Sequence, residues 1–345
     1  MANCGIASID ALNAGSGTAF GTGHDDRDAI GLVQDLLAGQ GAAGMPALAS
    51  PSRGVFGPAT TAALRDFQQR CGVPAAPPDD ATRATVDAAT LRALIATPAA
   101  KPTACGGYLS LVLDFPFTGM LRVMSLTTQF EGGGKFAAQN RNHDRAGLSF
   151  GLIQWAQRPG RLTEILLAFR AANPSRFAQI FGGGDADLAQ RLIAHTRKPD
   201  GGLDAAGHAT DPAFELIAEP WTTRFQQAAL DRDFQRVQVD TAMRAFRGSF
   251  AGIQAFAPRV ASERGVAFLL DVANQHGDGG VKSIFNAVGG ASLAEPALLE
   301  AMERESVRRV EGKFGPTSDE ADSTRSRRRA FRTTPFLSDG PFDPS

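Results

Sequence analysis

The sequence predicts a mainly α protein: an N-terminal three-helix bundle, then a larger and mostly helical domain with one small β-hairpin. Three observations carry this. Between residues 25 and 97, apolar residues recur at helical spacing inside recognisable caps. Helical periodicity returns in a succession of segments from 118 to 333. Only 148–155, Leu-Ser-Phe-Gly-Leu-Ile-Gln-Trp, has the alternation and β-formers of a strand, with Gly151 as a bulge or close-approach point.

Residues 1–23 are small and aperiodic, which predicts a flexible lead-in. The first helix of the bundle carries Ile30, Val33 and Leu37 on one face, and Gly39 and Gly41 supply its stop. In the second, Gly57 caps, Pro58 takes the first helical position and Gly72 closes, with Ala63, Leu64 and Phe67 turned inward. The third begins at Asp87 as N-cap and buries Leu91 and Leu94. A Pro/Ala/Gly-rich stretch, 98–110, reads as a linker between the bundle at 24–97 and a domain at 111–345. In that domain helices are expected near 118–131, 158–171, 173–182, 185–196, 213–230, 232–247, 258–276, 293–313 and 318–333. The run 266–273 is apolar almost all round and should be buried at the domain centre.

Composition narrows the function. The 345 residues hold 35 Lys plus Arg against 36 Asp plus Glu, a net charge of −1 that argues against nucleic-acid binding. No apolar run is long enough to span a membrane, and the first residues lack the features of a signal peptide. Three scattered cysteines make no disulfide framework. The five histidines show no ligand spacing, so neither a catalytic metal nor any cofactor is expected, and the Gly-Gly-Gly runs lack the Lys-Ser/Thr of a phosphate loop. Phenylalanine is abundant at 23, against one Tyr and two Trp, so few aromatics with a polar handle are available to line a ligand site.

The bundle carries a recognisable motif. Ile30-x-x-Val33-Gln34-x-x-Leu37 is followed by Phe56-Gly57-x-x-Thr60-x-x-Ala63-Leu64-x-x-Phe67-Gln68, and Val86-Asp87-x-x-Thr90-x-x-Ala93-Leu94 echoes the second segment. These residues resemble the helical peptidoglycan-binding domain attached to many bacterial cell-wall hydrolases, with Asp87 where Gly is usual. A three-helix bundle used for some other partner contact is the competing reading. The resemblance implies attachment to the wall polymer and names no individual contact residue.

Chemistry concentrates in 127–155. Glu131 ends an apolar helical stretch and precedes three glycines. A carboxyl that loses solvent at the negative end of a helix dipole is favoured in its protonated form, as a general acid requires. Asp144 lies in a polar loop with Asn140, Arg141, Asn142, His143 and Arg145, whose cationic and amide groups favour the ionised form. One carboxyl kept protonated and one kept charged is the pairing used in glycoside hydrolysis. A helix-end carboxylate and a loop-capping Asx turn are the alternatives for the two residues.

The Phe130-Glu131 pair followed by Asp144-x-x-Gly147-x-Ser149-x-Gly151-Leu152 resembles the chitosanase branch of the lysozyme superfamily. The segment Asp271-Val-Ala-Asn-Gln275-His276-Gly277 is similar to the end of the central helix in that group, and 322–331 to its final helix. The resemblance implies a lysozyme-like α+β domain, Glu131 as acid, Asp144 directing water, Ser149 helping to hold that water where Thr is more usual, and inversion at the sugar. The interval from Glu131 to Asp144 is short for the group, and Leu148 stands where an aromatic is expected. Both change the cleft and leave the substrate open.

Further candidates lie outside the carboxylate pair. Gln154, Trp155, Asn140, Gln275 and His276 are candidate substrate contacts, although a strand Trp is as often core and a helix-end His a dipole partner. The arginines 325, 327, 328 and 329 read as a solvated helix face pairing with Glu320 and Asp322. The expected activity is hydrolysis of β-1,4 bonds in peptidoglycan by a monomer acting in the periplasm or outside the cell. Without a visible leader, delivery would be by phage lysis or a dedicated secretion system, with an immunity or export partner. A chitosanase, a lytic transglycosylase and a non-catalytic wall-binding or toxin-delivery protein are the alternatives.

Overall fold

The computed structural model describes residues 3–74, 84–143, 145–158 and 160–345. In order the chain forms α1 (Ala7–Asn13), β1 (Phe20–Gly21), α2 (Arg27–Gly39), α3 (Pro58–Cys71), β2 (Thr85–Val86), α4 (Ala88–Ala96), a π-helical turn at Tyr108–Val112 and α5 (Gly119–Gly132). Then come β3 (Gln139–Arg141), β4 (Leu148–Phe150), β5 (Trp155–Ala156), α6 (Arg161–Ala172), α7 (Pro174–Gly182), α8 (Ala186–Thr196) and α9 (Trp221–Leu230). The last four helices are α10 (Arg232–Phe256), α11 (Glu263–Ala287), α12 (Glu295–Phe314) and α13 (Asp319–Thr333). The fold is mainly α, as the periodicity predicts. Two compact units form: one of Met1–Ala100, Cys105–Thr127 and Ala245–Ser345, the other of Lys101–Ala104 and Thr128–Arg244.

In the first unit the expected helices of the bundle are in place. Ile30, Val33, Leu37, Leu64, Phe67, Leu91 and Leu94 are buried together. Asp87 caps α4 through the Thr90 N–H at 2.7 Å, and Gly72 closes α3 at φ 63°. The lead-in is not flexible throughout. Ile6, Ile9 and Leu12 form a short apolar stripe around α1 and join the core, while Phe20 pairs with Val86 across a two-stranded antiparallel ribbon. The stripe is only two turns long, too short to stand out as a period.

The stretch 98–110 is not a free linker either, and 24–97 is not a body apart. Tyr108, Leu109 and Leu111 are buried. The buried Arg53–Asp35 pair also receives the Gly107 N–H at 2.9 Å. Arg122 bonds Asp28 and Glu263, both at 2.8 Å, and lies over Phe336. Polar groups satisfied across 35, 53 and 107 tie the bundle to the rest of its unit, and 111–345 is divided between the units.

The run 266–273 is buried, as its composition predicts. It contains a fully buried carboxylate, Asp271, and this overturns the solvated reading of the arginines. Arg327 bonds Asp271 at 2.7 Å, Arg328 also bonds it, and both guanidinium groups are buried. An ionised carboxylate in an apolar helix needs such partners. Arg325 keeps the expected surface role, with Asp322 at 2.5 Å and Glu311 at 2.5 Å.

The second unit is a three-stranded antiparallel sheet, β3-β4-β5, with α6 to α9 and the first half of α10. Its core is aromatic. Phe150, Phe169, Phe177, Phe181, Phe225 and Phe234 make ring contacts with centroids between 4.7 and 6.4 Å apart, which uses much of the phenylalanine excess. The 148–155 segment is two strands, broken by a turn in which Gly151 has φ 79° and Gln154 φ 53°. Helix α9 starts at Trp221 because Pro220 cannot lie inside a helix; Pro212–Phe214 forms a separate 3-10 turn.

Candidate active site

Glu131 occupies the last turn of α5 and is partly buried. The helix ends through its glycines: Gly133 and Gly134 take φ 65° and 68°, and the Gly134 N–H reaches back to the Thr128 carbonyl at 2.8 Å. The carbonyl of Gly134 then accepts the Ala104 N–H at 2.6 Å, fastening residues 101–104 beside the turn. Gly132 sets the approach to the sheet. A Cβ there would stand 2.5 Å from Ala138 Cβ and 3.4 Å from Gln154 Nε2, so only glycine lets the helix end lie this close to the β3–β5 region.

The hairpin loop that carries Asp144 is braced on both sides. The Asn142 N–H donates to the Gly147 carbonyl at 2.8 Å, and Asn142 Nδ2 donates to Ala206 O at 3.0 Å. Arg158 Nε donates to the Arg145 carbonyl at 2.8 Å. His143 and Arg145 are exposed; Asp144 itself lies outside the described residues. Asn140 Oδ1 accepts the His143 N–H at 3.3 Å, which gives this predicted contact residue a role in the loop. Ser149 is paired with Asn140 on one side and Ala156 on the other and is 6% exposed.

Gln154 spends its amide locally, donating to Gly151 O at 3.0 Å and Ala138 O at 3.4 Å. Trp155 is not a cleft aromatic. It is 1% exposed, pairs in register with Phe150 and packs against Gly151, so its area is core. Gln275 and His276 belong to the other unit and hold structure there. Gln275 Nε2 donates to Thr324 Oγ1 at 3.0 Å and its carbonyl accepts from Arg328. His276 Nε2 lies 3.0 Å from Ser306 Oγ.

Burial, with Arg328, Arg309 and Arg327 nearby and only Asp271 opposing, pushes His276 down to about 4. Its folded value lies below the ordinary one, so its contribution is present above about pH 6.5 and is lost as pH falls towards 4. After allowance for solvent screening, this loss is expected to be about 2 kcal/mol. Urea unfolding at both pH values should show a steeper acid loss in wild type than in His276→Gln; parallel curves would refute it.

Two site residues escaped sequence reasoning. Buried Gln238 on α10 accepts the Leu152 N–H at 3.1 Å and donates to Phe136 O at 3.2 Å, clamping the hairpin turn. Buried Gln157 accepts the Leu148 N–H at 3.3 Å and donates to Gly201 O at 2.9 Å. The one available signal was a glutamine on the apolar face of α10, beside Phe234. Among the described residues no cluster of three or more His, Cys, Asp or Glu could hold a metal, and no helix is long and apolar enough to cross a membrane.

Comparison with known proteins adds one assignment. Residues 26–94 match the family described as a putative peptidoglycan binding domain. No curated protein matches the chain. Among solved structures, a native chitosanase from Bacillus subtilis MY002 is similar at 14% identity and a TM-score of 0.46, covering 62% of this chain and 87% of that one. A mutant of that chitosanase complexed with six GlcN gives the same figures: 14%, 0.46, 62% and 87%.

Proposed function

We propose that the chain is a cell-wall glycoside hydrolase that cleaves the β-1,4 bonds of peptidoglycan. The observation that supports this is a glutamate at a glycine-terminated helix end set against the β3–β4 hairpin, in a chain whose residues 26–94 match a putative peptidoglycan binding domain. Glu131 protonates the leaving glycosidic oxygen. Asp144 draws a proton from water on the opposite face of the ring, and Ser149 holds that water. Inversion by this route needs carboxyl groups about 6.5–9.5 Å apart. The bundle keeps the enzyme at the wall and raises its local concentration on an insoluble polymer.

Mass spectrometry of products from purified peptidoglycan and from chitosan tests the reading. Reducing-end muropeptides from peptidoglycan are expected. Anhydro products would indicate a transglycosylase, glucosamine oligomers alone a chitosanase, and no product from either polymer a binding protein.

A further inference from the structure

Beside the hairpin, the second unit contains a cavity of about 370 Å³ that the proposed chemistry does not use. Arg158, Arg197 and Lys198 line it together with Glu164 and Asp200. Neither Arg197 nor Lys198 is in a salt bridge among the described residues, and both are exposed. The N-terminus of α6 opens onto the same space. Its N-cap, Gly160, offers no side-chain acceptor, so no side chain caps the helix start, and Glu164 is the acidic residue on its first turn. On that turn Thr163 lines the cavity, is 6% exposed, and has a buried hydroxyl with no hydrogen-bond partner. A buried unpaired hydroxyl is costly, and a ligand oxygen arriving in the cavity would satisfy it.

One side chain links the cavity to the hairpin loop. Arg158 lines it while its Nε holds the carbonyl of Arg145, the residue after Asp144, at 2.8 Å. Three cations, an uncapped helix start and an unsatisfied hydroxyl favour a carboxylate ligand. The two acidic side chains at the rim, with Asp200 at 3.8 Å from Arg158, suit a ligand that also carries an amine. We propose that this cavity binds the carboxylate-bearing stem peptide of peptidoglycan, so that the enzyme reads the peptide arm beside the bond it cuts. The inference deepens the glycosidase reading and rests on it for its biological sense. A cationic glucosamine polymer could meet only the two acidic side chains and would leave Arg197, Lys198 and the helix start without an anion.

Calorimetric titration of the full chain with the synthetic stem peptide L-Ala-γ-D-Glu-L-Lys-D-Ala is the direct test. Saturable binding is expected, weakened about fivefold or more in Arg197→Ala/Lys198→Ala and in Thr163→Val, and weakened by salt. No binding by wild type at millimolar peptide, or an unchanged Kd in the double variant, overturns the proposal. A second measurement compares kcat/KM on intact peptidoglycan and on strands stripped of peptide by an amidase. Wild type should prefer intact strands, and the double variant should lose that preference. If wild type cleaves neither polymer yet binds the peptide, the hydrolase reading falls and the cavity assignment stands. If it cleaves both equally and binds no peptide, the reverse holds.

Discussion

Glu131→Gln is expected to lower peptidoglycan turnover by about a thousandfold while leaving the melting temperature within a few degrees of wild type. The substitution keeps the shape of the side chain and removes only the proton that the leaving oxygen needs. The helix end is closed by the Gly134 N–H on Thr128 O, and Gly132 lets it lie close to the sheet; neither depends on the charge of the side chain. The loss should therefore fall on kcat, with KM little changed, because an interaction made only in the transition state is removed. Asp144→Asn should also be slow, but for a different reason, since it leaves the acid in place and removes the group that activates water. Azide could then rescue Asp144→Asn by replacing the water and could not rescue Glu131→Gln. A Glu131→Gln protein with wild-type turnover would end the assignment. A partial loss of both activity and folding would mean that the glutamate is a structural helix-end group.

What could be read from the sequence was set by local chemistry. The stripe Ile30, Val33 and Leu37, the Asp87 cap and the Gly72 stop act over one or two turns, and each stands where its spacing predicts. The glycine turn after Glu131 was legible for the same reason. Residues that act across long separations were not. Arg327 and Arg328 look like surface charge until Asp271, 56 and 57 residues away, is brought beneath them. Trp155 could have lined a cleft or filled a core, and only its pairing with Phe150 decides. Gln238 shows only as a polar residue on an apolar helix face and Gln157 not at all, because both bond backbone groups of distant segments. The expected linker failed similarly: a Pro/Ala-rich stretch has no period, yet its end supplies the N–H that a buried aspartate accepts.

Removing the bundle is expected to unfold the first unit rather than merely release the enzyme from the wall. A tethered module could be cut off without harm to the chemistry, but this one shares a core and buried charges with the rest of its unit. Arg53 is 5% exposed and Asp35 3%, and the carboxylate accepts both the guanidinium, at 2.8 Å through Nη2, and the Gly107 N–H. Arg53 also lies 5.0 Å over the ring of Phe336, near the C-terminus, and Thr334 Oγ1 donates to Leu48 O at 3.4 Å. Deleting residues 1–97 would leave Gly107, Arg122 and Phe336 without these partners. By circular dichroism the truncated chain should lose helical signal and the cooperative transition of the first unit, keeping at most that of the second. The single change Asp35→Ala isolates the cause, because it strands a buried guanidinium at a cost of about 3–5 kcal/mol. Paired replacement of Asp35 and Arg53 by Leu and Met should recover much of that loss, since matched apolar groups need no counter-charge. A truncated chain that melts cooperatively near the full-length temperature and still cleaves soluble muropeptide oligomers would show that the bundle is detachable.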